Sequence, residues 1–194
     1  MIKRRTLLAA TLAAPALSAC TTTDIRSSLP ALPNDTQSYA KPDEARVLHV
    51  SLDVRADFER KVLSGACTLS IAAREDAREI VLDVKGLNIG VVTGNGHSLP
   101  FTIGANDETR GAPMTIQLNG AREIKIIYET SPDAEALQWL TPAQTASGKH
   151  FLFSQGQSIL TRTWAPTQDS PGIRQTYDVR VVVPEDLVAV MSAE

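Results

Sequence analysis

The chain has 194 residues, with 19 Lys and Arg against 22 Asp and Glu, three His and two Cys. A formal charge of −3 and only 5% aromatic residues exclude the basic, stacking surface that nucleic acid requires. With 43% apolar and 21% charged residues the chain is neither disordered nor collagen-like, and its length predicts one domain whose core needs no disulfide or metal staple.

The first twenty residues read as a leader. Lys3, Arg4 and Arg5 form a charged start, and Thr6 to Ala16 is an Ala/Leu-rich run too short to span about 30 Å of hydrocarbon. The run ends Leu17-Ser18-Ala19-Cys20, which resembles the bacterial lipobox, where cleavage precedes a Cys whose thiol receives a diacylglycerol. Residues 1–20 are therefore expected to be a lipoprotein signal peptide and Cys20 the lipidation site. The protein would then be held at the periplasmic face of a bacterial cell envelope (periplasm or outer membrane). Loss of Lys3, Arg4 and Arg5 with the leader lowers the net charge from −3 to −6.

Residues 21–44 are rich in Thr, Ser, Pro, Asp and Asn without a hydrophobic period and read as a flexible tether. Fully extended, such a segment reaches about 80 Å. The remainder, 45–194, reads as one all-β domain of antiparallel sheets, a sandwich or saddle.

In chain order, Leu48, Val50, Leu52 and Val54 alternate with His49, Ser51, Asp53 and Arg55, a half-buried strand of period two. A polar turn at Glu59-Arg60-Lys61 leads to a return strand on which Cys67 shares a face with Leu63, Leu69 and Ile71. That places Cys67 as a small buried hydrophobe rather than a nucleophile. With Cys20 lipidated it is also the last thiol, so no intramolecular disulfide is expected.

Strand segments follow at Ile80 to Leu82, Leu87 to Val92, Pro100 to Ile103, Met114 to Leu118 and Ile124 to Tyr128. Gly94-Asn95-Gly96 marks a turn, and Asn119-Gly120 predicts a hairpin joining the last two segments. Asp133 to Leu140 is the one stretch with an ambiguous helical period. Tyr177, Val179, Val181 and Val183 alternate near the end, and Pro184-Glu185-Asp186 turns the chain into Leu187 to Met191.

Self-contained catalytic motifs are missing. His49, His97 and His150 lie far apart in sequence, and there is no His-Glu-x-x-His, Cys-x-x-Cys, Gly-x-Ser-x-Gly or glycine-rich phosphate loop. No metal ligand and no catalytic residue is assigned on this chain.

The informative region is Leu137 to Ala193. It contains Leu137-Gln138-Trp139-Leu140-Thr141-Pro142, Phe151-Leu152-Phe153-Ser154-Gln155-Gly156-Gln157-Ser158-Ile159, Trp164-Ala165-Pro166-Thr167-Gln168-Asp169-Ser170-Pro171, Arg174-Gln175-Thr176-Tyr177 and Val183-Pro184-Glu185-Asp186-Leu187. In order and spacing this resembles the end of the N-terminal domain of the zinc aminopeptidase family, of the aminopeptidase N and leukotriene A4 hydrolase type. The resemblance implies a β-domain packed against a separate catalytic domain, which would supply the zinc ligands and the general base. Zinc is therefore expected outside this chain, and residues 1–194 alone are expected to be inactive.

By the same resemblance, Gln155, Gly156 and Gln157 form the part of the cleft that binds the N-terminus of a peptide substrate. Gln157 would sit at the amine, which needs acceptor oxygens. The subfamily commonly has a Cys where Gly156 stands and Ala-Ile-His where Ser158-Ile159-Leu160 stands, so the loop departs from its pattern here. Trp139 and Trp164 are expected in packing, Phe151 and Phe153 buried on a sheet face, and Asp169 in a turn. The alternative reading is a free-standing, non-catalytic envelope lipoprotein whose sheet edge takes a peptide or protein partner.

Overall fold

A computed structural model describes residues 31–192. The leader, Cys20 and the first part of the tether lie outside these residues. Among the described residues there are eleven strands: β1 (Ala45–Asp57), β2 (Val62–Ala73), β3 (Glu79–Val84), β4 (Asn88–Gly94), β5 (His97–Ser98), β6 (Phe101–Ile103), β7 (Ala112–Gln117), β8 (Glu123–Glu129), β9 (Leu137–Leu140), β10 (Phe151–Ser154) and β11 (Thr176–Val182). Between them are two 3-10 turns, Pro142–Gln144 and Thr161–Thr163.

The strands form a six-stranded sheet of order β11-β1-β2-β8-β4-β5, a three-stranded sheet of order β3-β7-β6, and the β9–β10 hairpin. Period-two alternation puts Leu52 and Val54 of β1, Cys67 and Leu69 of β2, and Ile124 and Ile126 of β8 on one inner face. They share a core with Ile80 and Leu82 of β3 and Met114 and Ile116 of β7. This is the all-β sandwich expected from the sequence. Every ladder but one is antiparallel: β11 runs parallel to β1, pairing Val50 with Tyr177 and Val54 with Val181. A parallel pair cannot be closed by a tight turn: β2 to β10 lie between β1 and β11 in sequence, and the chain leaving β10 crosses over to reach the free edge of β1.

The β1–β2 turn forms as read. Asp57 Oδ1 accepts the backbone N–H groups of Glu59 and Arg60 at 3.0 and 2.9 Å, and Lys61 takes a left-handed φ of 55°. Leu48 does not share the face of Val50: it is 48% exposed while Val47 is fully buried. The register shifts between Val47 and His49, so a bulge accommodates the extra residue and reverses the alternation upstream.

The Asn119-Gly120 hairpin needs a larger correction. Both residues have positive φ (47° and 80°), and the Ala121 N–H closes the turn on the Leu118 carbonyl at 2.8 Å. The flanking strands nevertheless belong to different sheets, since β7 pairs with β3 and β6 while β8 pairs with β2 and β4. Leu118 donates to the Arg78 carbonyl and Ile71 to the Arg122 carbonyl, so each flank pairs inside its own sheet. With Leu118 and Ala121 both fully buried, the turn carries the chain across the core. The ambiguous stretch Asp133 to Leu140 is a turn followed by β9, and Leu187 to Met191 joins no ladder, leaving Val188 and Val190 more than 80% exposed.

The end of the segment read as tether lies on the body. Ser38 Oγ and the Tyr39 N–H donate to the two oxygens of Asp83 at 2.6 and 2.7 Å, and the Arg110 guanidinium lies 4.8 Å from the centre of the Tyr39 ring.

Two glycine substitutions test this packing. A Cβ on Gly65 would fall 2.0 Å from the Asp53 carbonyl oxygen, whereas one on Gly120 meets nothing within 4 Å. Gly65→Ala is expected to lose about 3 kcal/mol or more in urea unfolding. Gly120→Ala should lose about 1 kcal/mol, from the left-handed φ alone. Equal losses would mean that the β1–β2 ladder is not as close as described.

Candidate functional site

The β9–β10 hairpin carries the residues singled out by the sequence. Leu137 pairs with Ser154 and Trp139 with Leu152. Leu137, Trp139 and Leu152 pack with Phe58, Ala56 and Leu63 in a second apolar cluster, and the Trp139 ring meets Phe58 edge-on at 5.1 Å. Trp164 contacts both this cluster and the main core, so both tryptophans are packing residues. Phe151 and Phe153 are not buried: they are 51% and 46% exposed. Leu152 takes the inward position of the alternating Phe-Leu-Phe triplet, which sends both aromatic rings outward.

At Ser154 the hairpin gives way to the loop. The Gln155 N–H donates to the Ala136 carbonyl at 2.8 Å, and Gln155 Oε1 accepts the Gln157 N–H at 3.1 Å. Leu160 N–H closes the loop on the Gly156 carbonyl at 2.8 Å, and the Gln157–Ser158 peptide bond is cis. Gln155 and Gln157 are exposed; Gly156 is half-buried. A Cβ on Gly156 would stand 2.6 Å from Thr161 Oγ1, so the loop lies close against the following turn. The structure thus brings Gln155, Gly156 and Gln157 together at one exposed bend. Two primary amides there offer both donors and acceptors to a polar ligand.

Behind the bend is a buried polar cluster that sequence reasoning missed. Arg162 is fully buried, and its Nε and backbone N–H each donate to Asp169 Oδ2 at 3.1 Å. Its Nη2 donates to the Asp169 carbonyl at 2.9 Å and its Nη1 to the Arg110 carbonyl at 2.6 Å. Asp83, also fully buried, lies 3.9 Å from Arg162 Nη1 and accepts the Asp169 N–H at 2.9 Å. Burial pushes the Asp83 carboxyl above its ordinary value, while the bonds from Ser38, Tyr39 and Asp169 and the Arg162 charge pull it back.

Gln168, likewise fully buried, accepts the Val47 N–H and donates to the Ala45 and Val81 carbonyls. Asp169 therefore does more than shape a turn. Single-sequence reading offered one available signal, a lone Arg in Leu160-Thr161-Arg162-Thr163-Trp164 amid residues that pack, and nothing in the spacing named its partners.

The remaining candidates are structural. His49 bonds Thr176 Oγ1 at 2.8 Å and Asp178 Oδ1 at 2.6 Å, with Ser51 Oγ donating to the other Asp178 oxygen. Those bonds, Ser51 first and then His49, hold the Asp178 carboxyl below its ordinary value. Ser51 is thus bonded to the carboxylate, not to the imidazole, and is not activated as a nucleophile. Among the described residues no group of three or more His, Cys, Asp or Glu is arranged to hold a metal ion. Cys67 is buried with Sγ 3.6 Å from the Pro166 carbonyl, and burial pushes its thiol up to about 12.

Two outcomes are expected. In a Cys20→Ser variant, iodoacetamide should leave Cys67 unmodified in the folded state and alkylate it in denaturant; rapid native labelling would contradict its burial. Arg162→Met should destabilise the domain by about 3–5 kcal/mol in equilibrium unfolding, because two buried carboxylates lose their cation. A change under 1 kcal/mol would show that the cluster is not a structural unit.

Comparison with known proteins places this geometry in context. Residues 38–193 match the family model of the peptidase M1 N-terminal domain. The chain is 35% identical over 167 residues to leukotriene A-4 hydrolase of Xenopus laevis, covering 82% of this chain and 27% of that protein. It is 32% identical over 160 residues to leucine aminopeptidase 2 of Yarrowia lipolytica, covering 80% of this chain and 25% of that protein.

Among solved structures, yeast leukotriene A4 hydrolase in complex with bestatin superposes with a TM-score of 0.74 at 26% identity, over 82% of this chain and 26% of that one. An M1 zinc metallopeptidase from Deinococcus radiodurans shares the fold, with a TM-score of 0.56 at 24% identity over 73% of this chain and 33% of that one. The chain spans about a quarter of the length of the curated relatives it matches. On the match across residues 38–193, this chain belongs to the M1 peptidase family, as its N-terminal domain.

Proposed function

We propose that this domain forms one wall of the substrate cleft of a membrane-tethered zinc aminopeptidase, with the Gln155–Gly156–Gln157 bend facing the N-terminus of a peptide. The observation that carries the reading is the bend itself: two exposed amides on a clamped loop, in a domain of a family whose members include leucine aminopeptidases. In this account Gln157 Oε1 accepts a hydrogen bond from the substrate ammonium, and Gln155 and Gly156 line the adjoining wall. A charge-assisted bond of this kind contributes about 1.5–3 kcal/mol when water is excluded. Relatives of this fold include zinc metallopeptidases, and in this reading the zinc and the chemical step belong to the catalytic part of the full enzyme.

Cys20 supplies the proposed anchor. A lipid on its thiol would tie the chain to the periplasmic face of the envelope, and 21–37 would then span the distance to the docked Ser38. One acyl chain holds a membrane weakly, whereas a diacylglycerol provides two.

Three measurements test the proposal. In the polypeptide that contains the catalytic part, Gln157→Ala should lower kcat/KM on an aminoacyl chromogenic substrate about tenfold or more; an unchanged value removes Gln157 from the site. Residues 1–194 alone should give no turnover with or without added zinc, and zinc-dependent turnover would overturn the division of labour. Cys20→Ser should move the protein from the membrane to the soluble fraction, and continued sedimentation with membranes would exclude the anchor.

A further inference from the structure

The bend is suspended from a frame that no part of the recognition loop itself supplies. The Ala136 peptide group is used on both sides. Its carbonyl accepts the Gln155 N–H at 2.8 Å, and its N–H donates to Thr163 Oγ1 at 3.1 Å. The same Thr163 hydroxyl donates to the Leu160 carbonyl at 2.7 Å, at the other end of the loop. Thr163 is 2% exposed, and one hydroxyl thus ties the start of the bend, through Ala136, to its end. Next to it, Arg162 fixes the backbone: its N–H donates to Asp169 Oδ2, and its carbonyl accepts the Lys85 N–H at 2.9 Å. The loop from 155 to 160 is free to move only as far as these ties allow.

We infer that Thr163 is a positioning residue for the Gln155–Gln157 bend, holding both of its ends through a single hydroxyl. This inference rests on the proposed function for its consequence in substrate binding, but its mechanical content stands without it. A hydroxyl can hold both ends at once because it donates and accepts: its proton is used on Leu160 and an oxygen lone pair on Ala136. A residue of the same shape without oxygen leaves the buried Ala136 N–H without a partner and the Leu160 carbonyl with the residue-163 backbone N–H alone, and that cost is relieved by moving the loop. A serine retains both bonds.

The test compares Thr163→Val with Thr163→Ser in the chain of 194 residues, by amide hydrogen exchange, with urea unfolding as the control for global stability. Thr163→Val should raise exchange at the Gln155 and Leu160 amides at least tenfold relative to wild type, while the Cys67 and Ile126 amides change only as far as global stability does. Thr163→Ser should restore slow exchange. Exchange at Gln155 and Leu160 that stays slow in Thr163→Val, or that rises only in step with Cys67 and Ile126, overturns the inference.

In the polypeptide with the catalytic part, Thr163→Val is expected to raise KM several-fold with a smaller change in kcat, and Thr163→Ser to recover KM. If Gln157→Ala leaves kcat/KM unchanged while Thr163→Val still loosens the bend, the substrate reading fails and the positioning role stands. If the bend loosens and KM does not move although Gln157→Ala is damaging, the link from positioning to binding is wrong.

Discussion

A buried arginine with a carboxylate on either side sets the form of this domain around the Gln155–Gln157 bend. Burying Arg162, Asp83 and Asp169 is costly, and the cost is offset only because each has hydrogen-bond partners in place. Those partners come from distant parts of the chain: Arg110 from the β6–β7 connection, Ser38 and Tyr39 from the N-terminal segment, and Asp169 from the crossover to β11. The cluster therefore specifies where the crossover runs as much as how stable it is. It also covers the edge of β3, where Asp83 N–H donates to the Thr167 carbonyl and Lys85 N–H to the Arg162 carbonyl. A sheet edge that would otherwise be open to pairing is closed by the chain's own loop.

From that edge the arrangement extends to the bend. The crossover carries Thr161 to Thr163 directly from Leu160, and the tight fit of Gly156 against Thr161 brings the loop onto it. The hairpin that leads into the bend is held separately, by Trp139, Leu152 and Phe58 in the smaller apolar cluster. Apolar packing on one side and a polar clamp on the other hold two exposed amides on a short loop. Presenting polar groups on a rigid support is what a binding wall requires, since the ordering cost is met on folding rather than on binding.

Much of the fold is legible from the residues because period two is unambiguous where one face is buried. Val50, Leu52 and Val54, the Cys67–Leu69–Ile71 face and the turn at Asp57 to Lys61 all follow from local rules. Leu48 does not, because a bulge inverts the alternation and leaves no mark on an apolar run. Asn119-Gly120 announces its turn but not its context, since a positive-φ pair can join strands of one sheet or carry the chain between two. Phe151-Leu152-Phe153 is apolar throughout, so its inward side is settled by what Trp139 offers across the ladder.

The candidate bend is legible only through resemblance, for Gln155 and Gln157 have no local pattern that distinguishes them from other surface glutamines. Their support is not legible at all. The partners of Arg162 lie 52 and 7 residues away in sequence, and only the fold joins them. The central claim is that Gln157 lies beside the amino end of a bound peptide. The most direct measurement places a photo-crosslinking residue at position 157 of the polypeptide containing the catalytic part and maps its adduct with a non-hydrolysable peptide. The account predicts an adduct on the first or second residue of that peptide, competed by excess unlabelled peptide. An adduct on its C-terminal end, or one that excess peptide does not displace, would contradict it.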